Sequence, residues 1–347
     1  MEIYFILTSL VILLLVFPVL DRRLIILPFT VLALFSGLRY YVGIDYIVYS
    51  DIFDFAKYGA NTTTEPFFIY VVQFCVVLGG TAQLMFFLLA FITNFFVCKF
   101  ILDCSKNIFI SFLLYFSIVS FYLYTFNATR QWAACSIFLF SFYYLVNKRY
   151  YIFIFINIAA ALFFHFSLLF IIPMVLACTY TFSKKIQLIM LGAAIFTAFS
   201  IKILLSNTVY AVYASDNMEF DTSVDMKIYV FLIMNLAIHL FNKSKNKDFY
   251  SRVIFNINYI SILLLIIIII QGSGTFVLIL KRVHNYFLAF YIIIIPYLIC
   301  YLSPQARKIV NFLLFIALPL LFLITVYLTG KTLMIIPFTF NFNLFSA

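Results

Sequence analysis

A small set of ionisable side chains stands at or near the ends of apolar runs in this chain: Arg39, Asp45, Glu65, Arg130, His165 and Arg282. Such groups at membrane depth cost about 2.5–3.5 kcal/mol each on insertion scales, and they usually mark a substrate path. Arginine guanidinium groups bind phosphate oxygens bidentately, and a neighbouring carboxylate can orient or deprotonate a hydroxyl group. If these residues share one membrane face, their types predict sugar transfer from a lipid-linked pyrophosphate.

Each of these residues also fits a structural role that needs no substrate. Asp45 can pair with Arg39, and Glu65 can stabilise the N-terminus of a following helix. Arg130 can extend its charge to the lipid headgroups from a helix end. His165 can be a neutral interior side chain bonded to a carbonyl group. The argument for a substrate site therefore rests on several of these residues reaching the same face.

Residues 36–49 hold the densest part of this pattern. They combine Arg39 and Asp45 with two glycines and four tyrosines, directly after an apolar run. The rings of Tyr46 and Tyr49 can stack on sugar faces, or they can belong to an aromatic belt at the membrane interface. We expect this stretch to begin a polar site that the following helices support.

The overall composition indicates that those helices cross a membrane. Of the 347 residues, 66% are hydrophobic and 10% are charged, whereas a soluble domain has about 25% charged residues. Residues 262–270 are apolar throughout, unlike the alternating strands of a membrane barrel. The sequence therefore predicts an all-α, polytopic membrane protein with a single membrane domain over residues 1–347 and about twelve spans of roughly 20 residues.

Basic clusters between the apolar runs set the expected topology, because Lys and Arg concentrate in cytoplasmic loops. Residues 3–20 lack the features of a cleavable signal peptide, so we take them as the first span. Arg22 and Arg23 follow this span, so we place them in the cytoplasm and the N-terminus outside. Arg39, Asp45, Glu65, Arg130, His165 and Arg282 then all lie at the outer face. Lys281 and Arg282 precede a span predicted at residues 283–302, and they oppose the positive-inside trend. The inside markers are Arg22 with Arg23, Lys99 with Lys106, Lys148 with Arg149, Lys184 with Lys185, Lys243 to Lys247, and Arg307 with Lys308.

Two outer segments have predicted roles of their own. We expect residues 39–80 to form an outer-face loop and an interfacial helix at about 66–78, followed by a span at about 84–102. The alternative is two true spans here, with the cluster of Lys99 and Lys106 assigned to the wrong side. Residues 206–226 carry four acidic residues and no Lys or Arg, which predicts an acidic periplasmic loop.

Several classes of function find no support in the sequence. The net charge of +10 arises from the loop clusters, without a basic stripe or motif for nucleic acid. None of the six cysteines forms a CxxC pair, so no metal site or disulfide framework is indicated. No GxSxG, HExxH or GxxxxGK motif is present. We therefore expect neither a metal nor another cofactor.

Four segments resemble the EpsG-like membrane proteins, which include O-antigen polymerases of the Wzy type. They are residues 37–49, which contain Arg39 and Asp45; Glu65-Pro66 before an apolar helix; Phe126 to Gln131; and Phe164 to Ser167. Arg282 followed by Tyr286 is a weaker fifth. Ile44 stands where the family often has threonine, which removes a hydroxyl group beside Asp45. The segment after Glu65 also looks like the interfacial helices of GT-C glycosyltransferases.

The resemblance implies an O-antigen polymerase in the bacterial inner membrane, which joins undecaprenyl-pyrophosphate-linked oligosaccharide units at the periplasmic face. A flippase and a chain-length regulator in the same membrane are candidate partners. As implied catalytic residues we take Asp45, the base or the group that orients the acceptor, with Arg130, His165 and Arg282 around the donor pyrophosphate. The implied substrate-binding residues are Arg39, Tyr46, Tyr49, Glu65, Asn127, Gln131, Ser167 and Tyr286.

Other assignments use the same residues. A flippase or transporter for the lipid-linked sugar needs polar groups on both halves of the membrane, whereas the unusual charges here gather outside. An O-antigen ligase or an exopolysaccharide polymerase shares the donor chemistry, so these charges do not separate either from an O-antigen polymerase. A structural protein without catalysis would leave the outer charges unexplained.

Overall fold

Helices make up nearly all of the regular structure in the computed structural model, which describes residues 1–59, 65–206, 226–242, 248–272 and 275–345. The all-α prediction is confirmed. Short 3₁₀ turns at Phe17–Val19, Arg22–Ile25 and Leu123–Phe126 connect some of the helices. The helices are α1 Glu2–Leu14, α2 Ile26–Gly37, α3 Tyr46–Lys57, α4 Phe68–Val77, α5 Ala82–Cys104, α6 Ile108–Ser117, α7 Thr129–Val146, α8 Tyr150–Phe163, α9 Leu168–Ala177, α10 Lys184–Ser206, α11 Met226–Asn242, α12 Phe249–Gln271, α13 Thr275–Leu288, α14 Tyr291–Ile299 and α15 Pro304–Thr329.

Side-chain caps determine where several of these helices begin. The Thr81 side chain accepts from the Gln83 backbone N–H at the start of α5, and Asn107 accepts from two N–H groups at the start of α6. Asp248 and Ser303 do the same for α12 and α15. Because the first N–H groups of a helix have no partner within the helix, these caps satisfy donors that an apolar environment leaves unsolvated.

The chain divides into two compact units, Met1–Leu169 with Tyr291–Ala347 and Phe170–Phe290. We call them unit 1 and unit 2. In unit 1, α5 packs between α2 and α7, and α6 packs against α14 and α15. Buried hydrogen bonds join these helices: Ser111 Oγ donates to the Ile292 carbonyl at 2.6 Å, and Tyr115 Oη to Asn94 Oδ1 at 3.2 Å.

Unit 1 has two distinct ends. At one end Arg22 donates to the Leu102 carbonyl, and Lys99 pairs with Asp103 at 3.5 Å. At the other end Gln83, in the first turn of α5, donates through Nε2 to the Gly37 and Arg39 carbonyls at 2.6 and 3.1 Å. The 23 residues of α5 therefore connect the end that carries Arg22 to the end that carries Arg39.

The short helix α4 starts and finishes at the Arg39 end. Just before it, the Phe67 backbone N–H donates to the Leu162 carbonyl at the end of α8. Just after it, Gly80 leads directly into the cap of α5. Ten residues of helix rise about 15 Å, and α5 alone connects the two ends of unit 1 in this part of the chain. The interfacial placement of residues 39–80 and the two-span alternative both stay predictions.

Unit 2 is organised around α12, which packs against α10, α11 and α13. Polar side chains join these helices inside an otherwise apolar core. Ser261 Oγ on α12 lies 2.8 Å from Nε2 of the buried His284 on α13. Asn258 on α12 donates to the Asn235 carbonyl on α11 at 2.9 Å. Such bonds are a common way to hold helices together where no water competes.

Helix lengths support a membrane protein, although they do not establish twelve spans. Among the described residues, five segments are long and apolar enough to cross a membrane: Glu2–Val19, Ala82–Cys104, Phe249–Gln271, Phe276–Ile299 and Pro304–Thr329. Shorter apolar helices include Phe68–Val77, Ile108–Ser117, Tyr150–Phe163, Leu168–Ala177 and Met226–Phe241. The count of about twelve spans, the single membrane domain and the GT-C-like fold stay predictions.

One predicted boundary is wrong. The span predicted at residues 283–302 follows Lys281 and Arg282 in a loop, yet both residues lie within α13, which begins at Thr275. The apolar residues 276–280 extend this helix upstream, so the two cations lie on its second and third turns. Residues 207–225 of the predicted acidic loop lie outside the described residues, as do the predicted cytoplasmic residues from Lys243 to Lys247.

Candidate functional site

The centre of the candidate site is an ion pair between Arg130, in the first turn of α7, and Glu65, just before α4. Arg130 Nη1 donates to Glu65 Oε2. The two side chains are only 16% and 10% exposed, so little water reaches them. Unlike a surface pair, this one loses little of its Coulomb attraction to solvent. It joins two segments that lie 65 residues apart in the sequence.

Two aromatic rings contact the Arg130 guanidinium. Its Cζ lies 5.1 Å from the ring centroid of Phe68 and 5.5 Å from that of Tyr49. Both distances suit cation–π attraction. The Nε of Arg130 is buried and has no hydrogen-bond acceptor among the described residues. A buried donor without a partner costs about 1–3 kcal/mol, so this guanidinium has the capacity to hold a further anionic oxygen.

Glu65 also reaches the turn between α8 and α9, because its Oε1 accepts from the Phe166 backbone N–H at 3.4 Å. In the same turn, Ser167 Oγ lies 2.7 Å from His165 Nδ1. With the hydroxyl group as donor, the proton of a neutral His165 ring is on Nε2. The Glu65 carboxylate thus connects Arg130 to the turn that contains His165 and Ser167. All four residues were predicted from the sequence.

Arg39 lies at the same end of unit 1, but its contacts differ. Its side chain is buried (1% exposed) and donates to the carbonyl groups of Ser36 at 2.5 Å, Val42 at 3.3 Å and Phe126 at 3.3 Å. It also donates to Thr129 Oγ1 at 3.0 Å. Burial lowers the pKa of Arg39 to about 10, which still leaves it charged at neutral pH. Its hydrogen-bond acceptors are thus main-chain carbonyls and a hydroxyl group. Arg39 therefore holds these segments of the main chain together.

Asn127 positions the loop that contains Arg39. Its Oδ1 accepts from the Ile44 backbone N–H at 2.7 Å. Gly43, one residue earlier, has φ +101°, and a Cβ there would lie 2.6 Å from the Phe126 carbonyl oxygen. Only glycine fits so close to that carbonyl at this backbone angle. The Gly43–Ile44 backbone is therefore held tightly against the turn before α7.

The next three predicted residues share one amphipathic helix, α3. Asp45 is its half-buried N-cap residue, and Tyr46 and Tyr49 are buried. The Tyr46 ring stacks on Phe86 at 4.5 Å, and its hydroxyl group donates to Gln83 Oε1 at 3.1 Å. Burial raises the pKa of Tyr49, and the nearby Arg130 charge opposes this rise. Tyr49 therefore stays protonated at neutral pH beside the guanidinium.

Three predicted residues remain. Gln131 is buried on α7 of unit 1. Arg282 and Tyr286 lie on α13 of unit 2, where Arg282 is exposed and Tyr286 is buried. Among the residues that the structure describes, no group of three or more His, Cys, Asp or Glu side chains has the arrangement of a metal site.

Comparison with known protein families now adds to this geometry. The model of the EpsG family matches residues 22–340, which is most of the chain. The chain belongs to the EpsG family. A comparison with curated protein sequences and one with solved structures gave no match. EpsG membership and the apolar helices indicate a membrane protein of the polysaccharide-polymerase type.

The matched region of this EpsG-family chain contains every residue named above as a candidate. It leaves out all of α1 and the last residues of the chain, from 341 onward. The four segments that carry the resemblance in unit 1 converge at its Arg39 end, through the bonds of Glu65 to Arg130 and Phe166 and of Asn127 to Ile44.

Three supporting residues were not predicted from the sequence. Gln83 connects α5 to both Arg39 and Tyr46, and its place in an apolar helix was a signal that could have identified it. The Thr129 hydroxyl group accepts a hydrogen bond from Arg39, and Thr129 belongs to the segment from Phe126 to Gln131 that carries part of the family resemblance. Phe68 packs on Arg130, but one phenylalanine among 47 gives no such signal.

Proposed function

We propose that this protein is an O-antigen polymerase, which joins undecaprenyl-pyrophosphate-linked oligosaccharide units at the periplasmic face of the bacterial inner membrane. Membership of the EpsG family supports a polymerase of this general kind. The observation that carries the proposal is the enclosed Arg130, which faces the Glu65 carboxylate and has a buried N–H without an acceptor among the described residues.

An arginine in this setting suits a pyrophosphate. Guanidinium groups form short, charge-assisted hydrogen bonds to phosphate oxygens. Such bonds are about twice as strong as hydrogen bonds between neutral groups. Arg130 already holds one anion, Glu65, in a site with little water. The donor pyrophosphate would supply anionic oxygens to Nε and compete with Glu65 for the guanidinium. Phe68 and Tyr49 would keep the cation in place during that exchange.

The proposed reaction needs one proton acceptor and no cofactor. A hydroxyl oxygen of the incoming unit forms a bond to the anomeric carbon of the growing chain. The bond from that carbon to the pyrophosphate oxygen breaks, and undecaprenyl pyrophosphate leaves with the bonding electrons, stabilised by Arg130. The hydroxyl proton passes to Asp45, the half-buried carboxylate at the start of α3. His165 and Ser167 would lie beside the pyrophosphate.

Other parts of the assignment come from the resemblance alone. Arg282 as a second ligand of the donor pyrophosphate and Tyr286 as a substrate contact are proposals on that basis. So are the GT-C-like architecture, with residues 66–78 as its interfacial helix, and the partnership with a flippase and a chain-length regulator.

The experiment is a gene deletion in a strain that makes a polymeric O-antigen, complemented by variants and assayed for the lipopolysaccharide ladder. Arg130→Ala is expected to leave lipid A carrying a single repeat unit and to remove all longer chains. Arg149→Ala is the matched control, because Arg149 is an exposed arginine just before α8. A normal ladder from Arg130→Ala, at normal protein level, would overturn the assignment of Arg130.

The same assay separates the alternative functions. Loss of an O-antigen ligase leaves lipid A with no repeat unit, and loss of a flippase prevents even a single unit from reaching the outer face. A deletion that leaves the ladder intact but removes a secreted polysaccharide would identify an exopolysaccharide polymerase. Only single-unit lipopolysaccharide fits the proposed O-antigen polymerase.

A further inference from the structure

After α15, residues 331–345 form a turn followed by an irregular segment, which together we call the C-terminal segment, and this segment returns to the Arg39 end of unit 1. Ile335 is fully buried there, and its carbonyl accepts from Tyr4 Oη of α1 at 2.7 Å. The Phe338 ring stacks on Phe35 of α2 with centroids 4.2 Å apart. The segment is therefore anchored to two helices before it reaches the loop beside the candidate site.

The C-terminal segment then pairs with the loop at residues 38–43. The Tyr40 N–H donates to the Thr339 carbonyl at 2.9 Å, and Thr339 Oγ1 donates back to the Tyr40 carbonyl. The Asn341 N–H donates to the Leu38 carbonyl at 2.8 Å. Arg39 and Phe340 thus form an isolated antiparallel β-bridge, between positions that are about 300 residues apart in the sequence.

Two further contacts extend this pairing along the same end. The Gly43 N–H donates to the Met334 carbonyl at 2.8 Å, and the Thr81 N–H donates to the Leu344 carbonyl at 2.9 Å. Thr81 Oγ1 also donates to the Asn343 carbonyl at 2.9 Å. The segment therefore bonds both to the Arg39 loop and to the residue that caps α5.

Gly43 is where these bonds reach the candidate site. On one side it donates to Met334, and on the other it lies against the Phe126 carbonyl. The next residue, Ile44, bonds to Asn127, and the α3 helix that carries Tyr49 begins two residues later. A displacement of residues 40–44 would shift the start of α3 and with it the ring that packs on Arg130.

We propose that the C-terminal segment is a positioning element of the polymerase site, acting through residues 38–43 on α3. This inference rests on the proposed function, and it goes beyond it by assigning a role to the C-terminal segment, whose last residues, 341–345, lie past the matched region. Most of its bonds come from main-chain groups, while the Thr339 hydroxyl group supplies one side-chain bond that a substitution can remove.

The test compares three threonine variants in membranes supplied with lipid-linked repeat units. Thr339→Val removes the hydroxyl bond to Tyr40 and keeps the side-chain shape, whereas Thr339→Ser keeps the hydroxyl group. Thr332→Val is the matched control, because the Thr332 hydroxyl group bonds only within its own turn, to the Thr329 carbonyl. We expect Thr339→Val to lower kcat about three- to tenfold, as loss of one hydrogen bond implies, with KM and protein amount unchanged.

Thr339→Ser is expected to restore the rate, and Thr332→Val to match the unaltered protein. A second variant, Asn341→Pro, removes the N–H that bonds to Leu38, and a chain that ends at Phe338 removes the pairing altogether. Both should reduce kcat more than Thr339→Val does, measured per molecule of folded protein. A lowered thermal midpoint with an unchanged kcat would overturn the positioning role.

Failure of this inference is distinguishable from failure of the proposed function. Normal kcat in Thr339→Val, Asn341→Pro and the shortened chain, together with inactive Arg130→Ala, would overturn the positioning role alone. Normal polymerisation by Arg130→Ala as well would overturn the proposed site itself.

Discussion

Arg39 and Arg130 lie at the same end of unit 1, yet their surroundings give them opposite roles. Arg39 is enclosed by neutral acceptors, three carbonyl groups and the Thr129 hydroxyl. Arg130 faces an anion, Glu65, and keeps a buried Nε without an acceptor in the part of the chain that the structure describes. Both also contact aromatic rings, so ring contacts do not separate the two.

The comparison shows that burial alone does not identify a functional arginine. A guanidinium whose donors are taken up by main-chain carbonyls holds those segments together, because removing it leaves several buried acceptors unsatisfied. A guanidinium that is paired with one carboxylate and incompletely hydrogen-bonded can exchange that carboxylate for a substrate anion. Substitutions at the two positions should therefore affect different measurements.

Among conservative substitutions at these two arginines and their neighbours, Arg130→Lys should have the largest effect on activity. Lysine keeps the charge but not the planar fork that binds phosphate oxygens bidentately. A hydrogen bond to a charged group contributes about 1.5–3 kcal/mol, so losing one should slow polymerisation by about ten- to hundredfold. The rate is measured in membranes with lipid-linked units, alongside the thermal midpoint in detergent. An unchanged rate would contradict a role in binding the pyrophosphate.

Arg39→Ala should instead reduce stability. It leaves the Ser36, Val42 and Phe126 carbonyls without their donor, and each buried group of this kind costs about 1–3 kcal/mol. We expect a total loss of about 3–5 kcal/mol, seen as a lower thermal midpoint and less protein in the membrane. Should Arg39→Ala be stable but inactive, the contrast drawn between the two arginines would be wrong.

Glu65→Ala tests the pairing directly, through a double-mutant cycle with Arg130→Ala. Because the two side chains are in contact, we expect a coupling energy of about 1–3 kcal/mol in the rate of polymerisation. The double variant should be no slower than Arg130→Ala alone. As a control, a second double-mutant cycle combines Glu65→Ala with Gln83→Ala. Gln83 bonds to the Arg39 carbonyl, so the effects of these two substitutions on the free energy of unfolding should be close to additive.

The smallest expected effect is that of Tyr46→Phe. It removes the hydroxyl bond to Gln83 and keeps the stacking on Phe86, at a cost of about 1 kcal/mol in stability. Polymerisation per folded molecule should be unchanged. Tyr49→Phe, made for comparison on the same helix, should slow the reaction, because Tyr49 packs on Arg130. Equal rates for the two variants would remove the reason to place Tyr49 in the site.

Much of this molecule could be predicted from the sequence. The hydrophobic content predicted helices, since only helices satisfy the backbone along long apolar runs. Charges in such runs are costly, so their positions indicated Glu65, Arg130 and His165 as candidates. The order of the short motifs indicated the family. Predicted boundaries were less accurate, as α13 shows, because an apolar run contains no signal for where its helix begins.

Which of these residues meet was decided by the tertiary structure alone. The sequence left open whether Arg39 pairs with Asp45, and the structure shows that its hydrogen bonds go to carbonyls on two segments. Main-chain carbonyls are the same in every residue, so no pattern of side chains reveals which of them a buried guanidinium will reach. For the same reason, the pairing of residues 38–43 with the C-terminal segment, through main-chain groups, left no trace in the sequence.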